Sequence, residues 1–244
     1  MTVKSTPTPM KTRWDDYYKA NPNPAWESFN LRDMSDFIAR IELSEINTVL
    51  DIGCGRGIRA LAMILLNDIL NRENVKIVGI DLSITAIEFA REFLEKVQSG
   101  TIPAPLTGIC DSVTDLKVDI EFYEQDFLSD LPSQINQSYD LIIDWMCFHE
   151  LFKAARDEYI EKVARLSSQF YIVNCFSTKE SAVLPEIIKG VPKQKFSKKN
   201  IQDLFGKYFD IMQEISYPTN KLQNQSDGFF AAKDAYLLRK KINR

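Results

Sequence analysis

Residues 49 to 57 read Val-Leu-Asp-Ile-Gly-Cys-Gly-Arg-Gly. The short apolar run Thr48 to Ile52 predicts a strand, and the segment Ile58 to Leu70 predicts the helix after it. Glycines at 53, 55 and 57 let the chain turn with positive φ and let a ligand approach bare backbone. The helix start beyond them offers unpaired N–H groups. Strand, glycine turn and helix start in that order build a nucleotide pocket at the carboxyl end of the strand. The plainer reading is a tight strand-to-helix turn; either way the chain is committed to an α/β fold.

Spacing separates the possible ligands. The dinucleotide fingerprint is Gly-x-Gly-x-x-Gly, with Ala allowed last. Counted from Gly53, the third small residue falls on Ile58; counted from Gly55, it falls on Ala60, so only the looser form is met. The fuller order from Asp51 to Gly57, Asp-x-Gly-x-Gly-x-Gly, resembles the cofactor loop of the class I S-adenosylmethionine (AdoMet) methyltransferases. The resemblance implies AdoMet as cofactor, S-adenosylhomocysteine as its product, and Asp51, Gly53, Cys54, Gly55 and Gly57 as the loop that binds it. AdoMet is cationic at its amine and sulfonium, and an acidic strand residue such as Asp51 suits that charge. An NAD-dependent oxidoreductase gives no role to Asp51.

The 244 residues with 45% hydrophobic content suffice for one large α/β domain, expected over 13–244 with an N-terminal cap at about 13–44. Residues 1–12, rich in Thr, Pro and Lys, are expected to be disordered. A net charge of −4 and a pI near 5.3 argue against general nucleic-acid binding. Met1 to Arg13 lacks the apolar core of a secretory leader, and the longest aliphatic stretch, around Leu61 to Leu66, is far too short to span a bilayer. Cysteines 54, 110, 147 and 175 form no Cys-x-x-Cys pair. They fit reduced thiols in a cytoplasmic protein better than disulfides or a zinc site.

Further strands are predicted at Val75–Ile80, Ile120–Glu124, Tyr139–Ile143 and Phe170–Cys175. Helices are predicted after Ser83, with Ile87, Ala90, Leu94 and Val97 as a stripe, over Glu150–Leu166, and after Ser197. Phe29, Met34, Phe37, Ile38 and Ile41 give an earlier helical pattern, and residues 100–118, with two prolines and two glycines, read as an insertion. Ile211–Ile215 and Ala235–Lys240 are the last two strands, with Asp227-Gly228 as a turn signal between them. This alternation predicts a doubly wound, mostly parallel sheet closing in a hairpin. The resemblance, which runs over about 45–241, implies the same: a Rossmann-like seven-stranded sheet whose last strand is antiparallel.

The strand ends carry the candidate chemistry. Asp81 ends strand two, where a carboxylate can accept both hydroxyls of a ribose. By resemblance it holds the AdoMet ribose, with Leu82 against the adenine. Asp126 and Phe127 follow strand three, where the family places an acceptor for the adenine amine and a side chain packed on the ring. The alternatives are a carboxylate stabilised at a helix start for Asp81 and a solvated loop acid for Asp126.

Strand four runs into Asp144-Trp145-Met146-Cys147-Phe148-His149-Glu150. Methyl transfer is an in-line displacement from a sulfonium, so alignment and exclusion of water matter most. A base is needed only if the acceptor must lose a proton. His149, the one histidine of the chain, is either that base or a wall of the site. Asp144 is the second catalytic candidate and, with Trp145, a candidate contact of the cofactor. Cys147 reads as a packed thiol.

The chain has no Asp/Asn-Pro-Pro-aromatic motif after strand four and no Asp-Asn pair of metal ligands, so no metal is expected. Trp14-Asp15-Asp16-Tyr17-Tyr18 with Pro24 and Trp26 is similar to the opening segment of the thiopurine-methyltransferase-like group, which folds over the cofactor. Packing of both tryptophans on the core is the alternative. Lys189, Lys193, Lys195, Lys198 and Lys199 read as a solvated loop or as a greeting for an anionic acceptor. Phe229 and Phe230 read as hairpin core or substrate wall. The expected function is AdoMet-dependent methylation of a small molecule. Methylation of protein or RNA, and a non-catalytic binding protein on the same fold, are the alternatives.

Overall fold

The apolar runs flanking the glycines become strands buried on both faces, as parallel strands require. In the computed structural model, which describes residues 8–24, 41, 45–66, 75–107, 118–178, 184–188, 191–217 and 233–242, β1 is Thr48–Ile52, β2 Lys76–Asp81 and β3 Asp119–Glu124. β2 pairs in parallel with β1 on one side and β3 on the other. Val49, Leu50, Ile52, Ile77, Val78 and Ile80 are all buried, and each side chain so buried stabilises by roughly 1.5–3 kcal/mol.

The chain divides into two compact units, Met1–Asp140 and Leu141–Arg244. The first holds these strands with helices α1 (Thr8–Ala20), α2 (Ile58–Leu66) and α3 (Ile84–Gln98). Ser83 caps α3 by accepting from the Ala86 N–H, and the predicted stripe Ile87, Ala90, Leu94 and Val97 is buried.

The boundary between units falls within β4 (Tyr139–Trp145). The second unit continues with α4 (Lys153–Leu166), β5 (Ser167–Phe176), β6 (Leu184–Ile188), β7 (Val191–Lys195), α5 (Lys198–Phe205), β8 (Phe209–Tyr217) and β9 (Lys233–Lys240). Ser197 and Asn200 form a reciprocal capping box at α5. β9 runs antiparallel to both β5 and β8, and a bulge interrupts β8 between Ile211 and Gln213. Strand order is β3-β2-β1-β4-β5-β9-β8, the mostly parallel seven-stranded sheet with a closing antiparallel pair that the sequence predicts.

Four expectations need correction. Residues 8–12 are the first turns of α1, not disordered. Strand four runs two residues further than predicted, so Asp144 and Trp145 lie in the strand itself. The helix predicted from Glu150 begins at Lys153, after a short 3-10 turn over Phe148–Glu150. The basic stretch read as loop contains β7, which pairs with β6 in a separate hairpin. The patterned segment 25–40, residues 67–74, most of the 100–118 insertion (108–117), Cys110, Trp26, Lys189, the Asp227-Gly228 turn and Phe229 and Phe230 lie outside the described residues.

Candidate functional site

In the first unit, the loop after β1 is built by three glycines in the left-handed region, Gly53 at φ 68°, Gly55 at 54° and Gly57 at 69°. The Gly53 and Cys54 N–H groups both donate to the Ile80 carbonyl, at 2.8 and 2.9 Å. This folds the loop onto the end of β2. The Asp81 carboxylate completes the tie, accepting from the Gly55 N–H at 2.9 Å through one oxygen and from the Ser83 N–H at 2.9 Å through the other. Burial pushes the Asp81 pKa up to about 6; the backbone bonds from Ser83 and Gly55 oppose that rise, and neighbouring Asp15 adds to it.

One loop glycine also answers a packing demand. A Cβ on Gly57 would lie 2.5 Å from the Phe122 ring, and one on Gly79 would meet the same ring at 2.5 Å. Packing against Phe122 thus requires glycine at 57 whatever the loop binds. Asp51 is 2% exposed at the end of β1. Asp126 accepts from the Leu128 N–H at 2.9 Å, which orders the turn after β3 around a buried Phe127. Leu82 is half-buried and Cys54 buried.

α1 is tied to this loop by residues that sequence reasoning did not assign. Asp15 accepts from the Ser83 hydroxyl at 2.7 Å and from the Thr85 N–H at 3.3 Å, and Lys11 pairs with Glu124. Arg56, between Gly55 and Gly57, is only 2% exposed. Its guanidinium lies 4.7 Å over the Phe93 ring and donates to the Pro22 carbonyl and, at 3.4 Å, to Asn23. The signal for Arg56 was its position inside the glycine turn, where a long cation has to find a partner. Trp14, Tyr17 and Tyr18 pack on one another, with centroids 5.7 to 6.1 Å apart. Arg56→Ala is expected to speed amide exchange across α1 and residues 21–24 by at least about tenfold, since a charge-assisted bond is worth roughly 1.5–3 kcal/mol. Unchanged exchange there would show that Arg56 does not hold the segment.

In the second unit, the end of β4 is organised around Asp144, which is 0% exposed. One of its oxygens accepts from the Cys147 and Phe148 N–H groups at 2.9 and 3.0 Å; the other accepts from the Tyr159 hydroxyl and, at 3.4 Å, from Tyr171. Burial pushes its pKa up to about 6 against these four donors. Asp144 therefore fastens the strand-end turn. Inside that turn Met146 has φ 72°, the one non-glycine among the described residues in the left-handed region, a conformation that costs on the order of 1–3 kcal/mol.

His149 is 1% exposed, with its ring edge-on to Phe176 at 4.5 Å and its Nε2 3.8 Å from a Glu150 carboxylate oxygen. Gln194 of β7 donates to the Leu151 carbonyl at 3.0 Å and so ties the β6–β7 hairpin to this turn. Phe148 packs among Tyr159, Phe196 and Phe205. Trp145 is half-exposed, its ring 6.4 Å from that of Tyr217. Cys147 is half-buried, and Cys54 and Cys175 are buried free thiols. Lys198 and Lys199 are engaged with Glu214 and Asp203 at 2.8 and 2.9 Å.

Comparison with known proteins bears on the family and the fold. A family model described as a methyltransferase domain matches residues 43–212. No curated protein matches the sequence. Among solved structures, the 1,6-didemethyltoxoflavin N1-methyltransferase of Burkholderia thailandensis superposes with a TM-score of 0.66 at 15% identity, over 96% of this chain and 88% of that one. The magnesium protoporphyrin IX methyltransferase of Synechocystis PCC 6803 gives a TM-score of 0.62 at 15% identity, over 95% and 99%. A protein of echinomycin biosynthesis, studied for conversion of a disulfide bond into a thioacetal group, gives 0.63 at 19% identity, over 96% and 94%. These likenesses share the fold. With the family match over most of its length, the chain belongs to the methyltransferase-domain family.

Proposed function

We propose that the protein methylates a small-molecule acceptor, with AdoMet held by Asp51, Gly53, Cys54, Gly55, Asp81, Leu82, Asp126 and Phe127. The observation that carries the cofactor assignment is Asp81. Its oxygens each accept one backbone N–H, from Gly55 and Ser83. An ionised carboxylate has about four lone-pair sites, so capacity remains for a ribose hydroxyl beside these backbone bonds. Gly53 is half-buried beside it, and the buried Asp51 carboxylate matches the cationic amino-acid end.

AdoMet, when bound, supplies an electrophilic methyl carbon on a sulfonium and departs as a neutral thioether. If the acceptor atom carries a proton, that proton leaves to a base or to water. His149, enclosed by Phe176 and the turn, serves as a wall of the acceptor site; as a base its ring would have to come within about 3 Å of the acceptor's proton-bearing atom. A small-molecule acceptor accords with the net charge of −4 and with the toxoflavin-pathway and porphyrin methyltransferases that share the fold. Free thiols and the lack, among the described residues, of any helix long and apolar enough to cross a membrane accord with a cytoplasmic enzyme.

Calorimetry with S-adenosylhomocysteine tests the assignment. Asp81→Ala removes a hydrogen bond to a charged acceptor, worth roughly 1.5–3 kcal/mol, so the dissociation constant should rise at least about tenfold. Because ribose hydroxyls donate to the ionised carboxylate, wild-type affinity should also weaken as pH falls through the Asp81 pKa of about 6. A dissociation constant unchanged by Asp81→Ala would sink the ribose assignment.

A further inference from the structure

Asn174, in β5, is 1% exposed. Its side-chain N–H donates to the Asp234 carbonyl at 3.4 Å, but among the described residues nothing donates to its Oδ1. Buried carbonyl groups are nearly always hydrogen-bonded, and one left unmatched at a strand end calls for a physical reason.

The register of the sheet shows what surrounds it. Asn174 stands opposite Ala235, which stands opposite Ile215; Phe176 stands opposite Lys233, which stands opposite Tyr217. Residues paired across strands share a face. The Met146 N–H donates to the Asn174 carbonyl at 3.0 Å, which sets Trp145 of β4 beside Asn174 on that same face. Trp145, Asn174, Phe176 and Tyr217 thus project together from the carboxyl ends of β4, β5 and β8, with the His149 ring against Phe176.

β4 and β8 are three strand spacings apart in the order β4-β5-β9-β8, or about 14 Å. Yet the Trp145 and Tyr217 rings stand 6.4 Å apart, tilted by 56°. The two side chains therefore lean toward each other across β5 and β9 and roof the face from which Asn174 projects. A flat ring held between two others needs about 7 Å, twice the 3.5 Å contact of carbon surfaces. Small rotations of two half-exposed side chains open that gap.

Resting on the methyltransferase reading, we propose that Asn174, Trp145 and Tyr217 recognise the methyl acceptor, which is a planar aromatic molecule carrying an N–H or O–H group. The Asn174 Oδ1 receives that hydrogen, and the two rings hold the acceptor's faces. Trp145, expected as a cofactor contact, is on this reading an acceptor contact.

The test uses the full chain saturated with S-adenosylhomocysteine and ligand-observed saturation-transfer NMR. The probes are indole and phenol, their donor-less counterparts 1-methylindole and anisole, and cyclohexanol as a non-aromatic donor. The wild type should bind indole and phenol at least about tenfold more tightly than 1-methylindole and anisole, with cyclohexanol weaker than either. Asn174→Leu, close in volume but lacking the acceptor, should bring each pair within about twofold. Tyr217→Ala should weaken both members of a pair alike. Should Asn174→Leu not fold, the side-chain amide resonance of Asn174 in the 15N-asparagine-labelled wild type gives the same answer, since it should shift with indole and stay in place with 1-methylindole. A wild type that binds the paired probes alike, or binds none, overturns the proposal, as does selectivity that persists in Asn174→Leu. Calorimetry on the same samples separates the two readings. Failure of the wild type to bind S-adenosylhomocysteine removes the methyltransferase reading, whereas binding without aromatic selectivity removes the acceptor assignment alone.

Discussion

Asp144→Ala is expected to destabilise the protein by about 3–5 kcal/mol, the cost of leaving buried polar groups without their charged partner. Four donors converge on this carboxylate: the Cys147 and Phe148 N–H groups and the Tyr159 and Tyr171 hydroxyls. Removing it leaves the buried Phe148 N–H and the Tyr159 and Tyr171 hydroxyls without their acceptor, and the turn that keeps Met146 at φ 72° loses its clamp. The change should appear as a lower urea midpoint at constant slope. A stability near that of the wild type would mean that the turn is held by something else, and that Asp144 was free to serve chemistry after all.

Asp144→Asn separates charge from hydrogen bonding. The amide oxygen can still accept from Cys147 and Phe148, and the amide nitrogen can donate to a tyrosine oxygen. Burial has raised the Asp144 pKa from 3.8 to about 6, so between those values the folded state binds more protons than the unfolded one. Stability contributed by this group is complete below about pH 4, falls as pH rises toward 6, and is level above. At 1.36 kcal/mol per pKa unit the difference is about 3 kcal/mol. The wild type should lose that much relative to Asp144→Asn between pH 4 and 6. Parallel pH profiles for the two proteins would contradict a raised pKa at this site.

Much of the fold was legible because local and global signals agreed. β1 was read to the residue because its apolar run ends at a glycine; the strand pairs β1–β2 and β8–β9 followed from continuous or alternating apolar runs between turn signals. The glycine turn was legible for the same reason: the spacing of Asp51 and the glycines, and the place of Asp81 at the end of β2, are local properties. What was not legible was non-local. Asp144 reads in sequence as an acidic residue at a strand end; only the arrival of Tyr159 from α4 and Tyr171 from β5 makes it structural. Asn174 gave no signal, since nothing in Ile-Val-Asn-Cys-Phe announces a bare carbonyl under two aromatic rings. α1 was missed because Thr8, Pro9 and two lysines suggested disorder, whereas ties from Lys11, Asp15 and Arg56 supply its order from outside the helix. β7 was hidden by lysines and a proline, which suit an exposed strand as well as a loop.

Gly57→Ala and Gly79→Ala are expected to be costly for different reasons, and Phe122 tells them apart. At Gly79 an added Cβ would lie 2.5 Å from Phe122 Cδ1 and 3.0 Å from the Cys54 sulfur. The Phe122 ring is itself buried, so it cannot swing aside cheaply; overpacking of this kind costs about 1–3 kcal/mol. At Gly57 the Cβ would meet Phe122 Cζ at 2.5 Å and the Ala90 methyl at 3.2 Å. There the backbone is also held at φ 69°, which adds roughly 1–2 kcal/mol for any side chain, for a total of about 2–5 kcal/mol. Replacing Phe122 by leucine removes the ring but leaves the backbone alone. In the Phe122→Leu background, Gly79→Ala should then cost clearly less, with the contact to the Cys54 sulfur remaining. Gly57→Ala should keep its conformational share, and with it weakened binding of S-adenosylhomocysteine, because the loop must bend away from its left-handed turn. A double-mutant cycle measured by urea unfolding reads the coupling of each glycine to Phe122. If leucine rescued both substitutions fully, positive φ at Gly57 would carry no energetic weight; if it rescued neither, the ring would not be what requires glycine at these two positions.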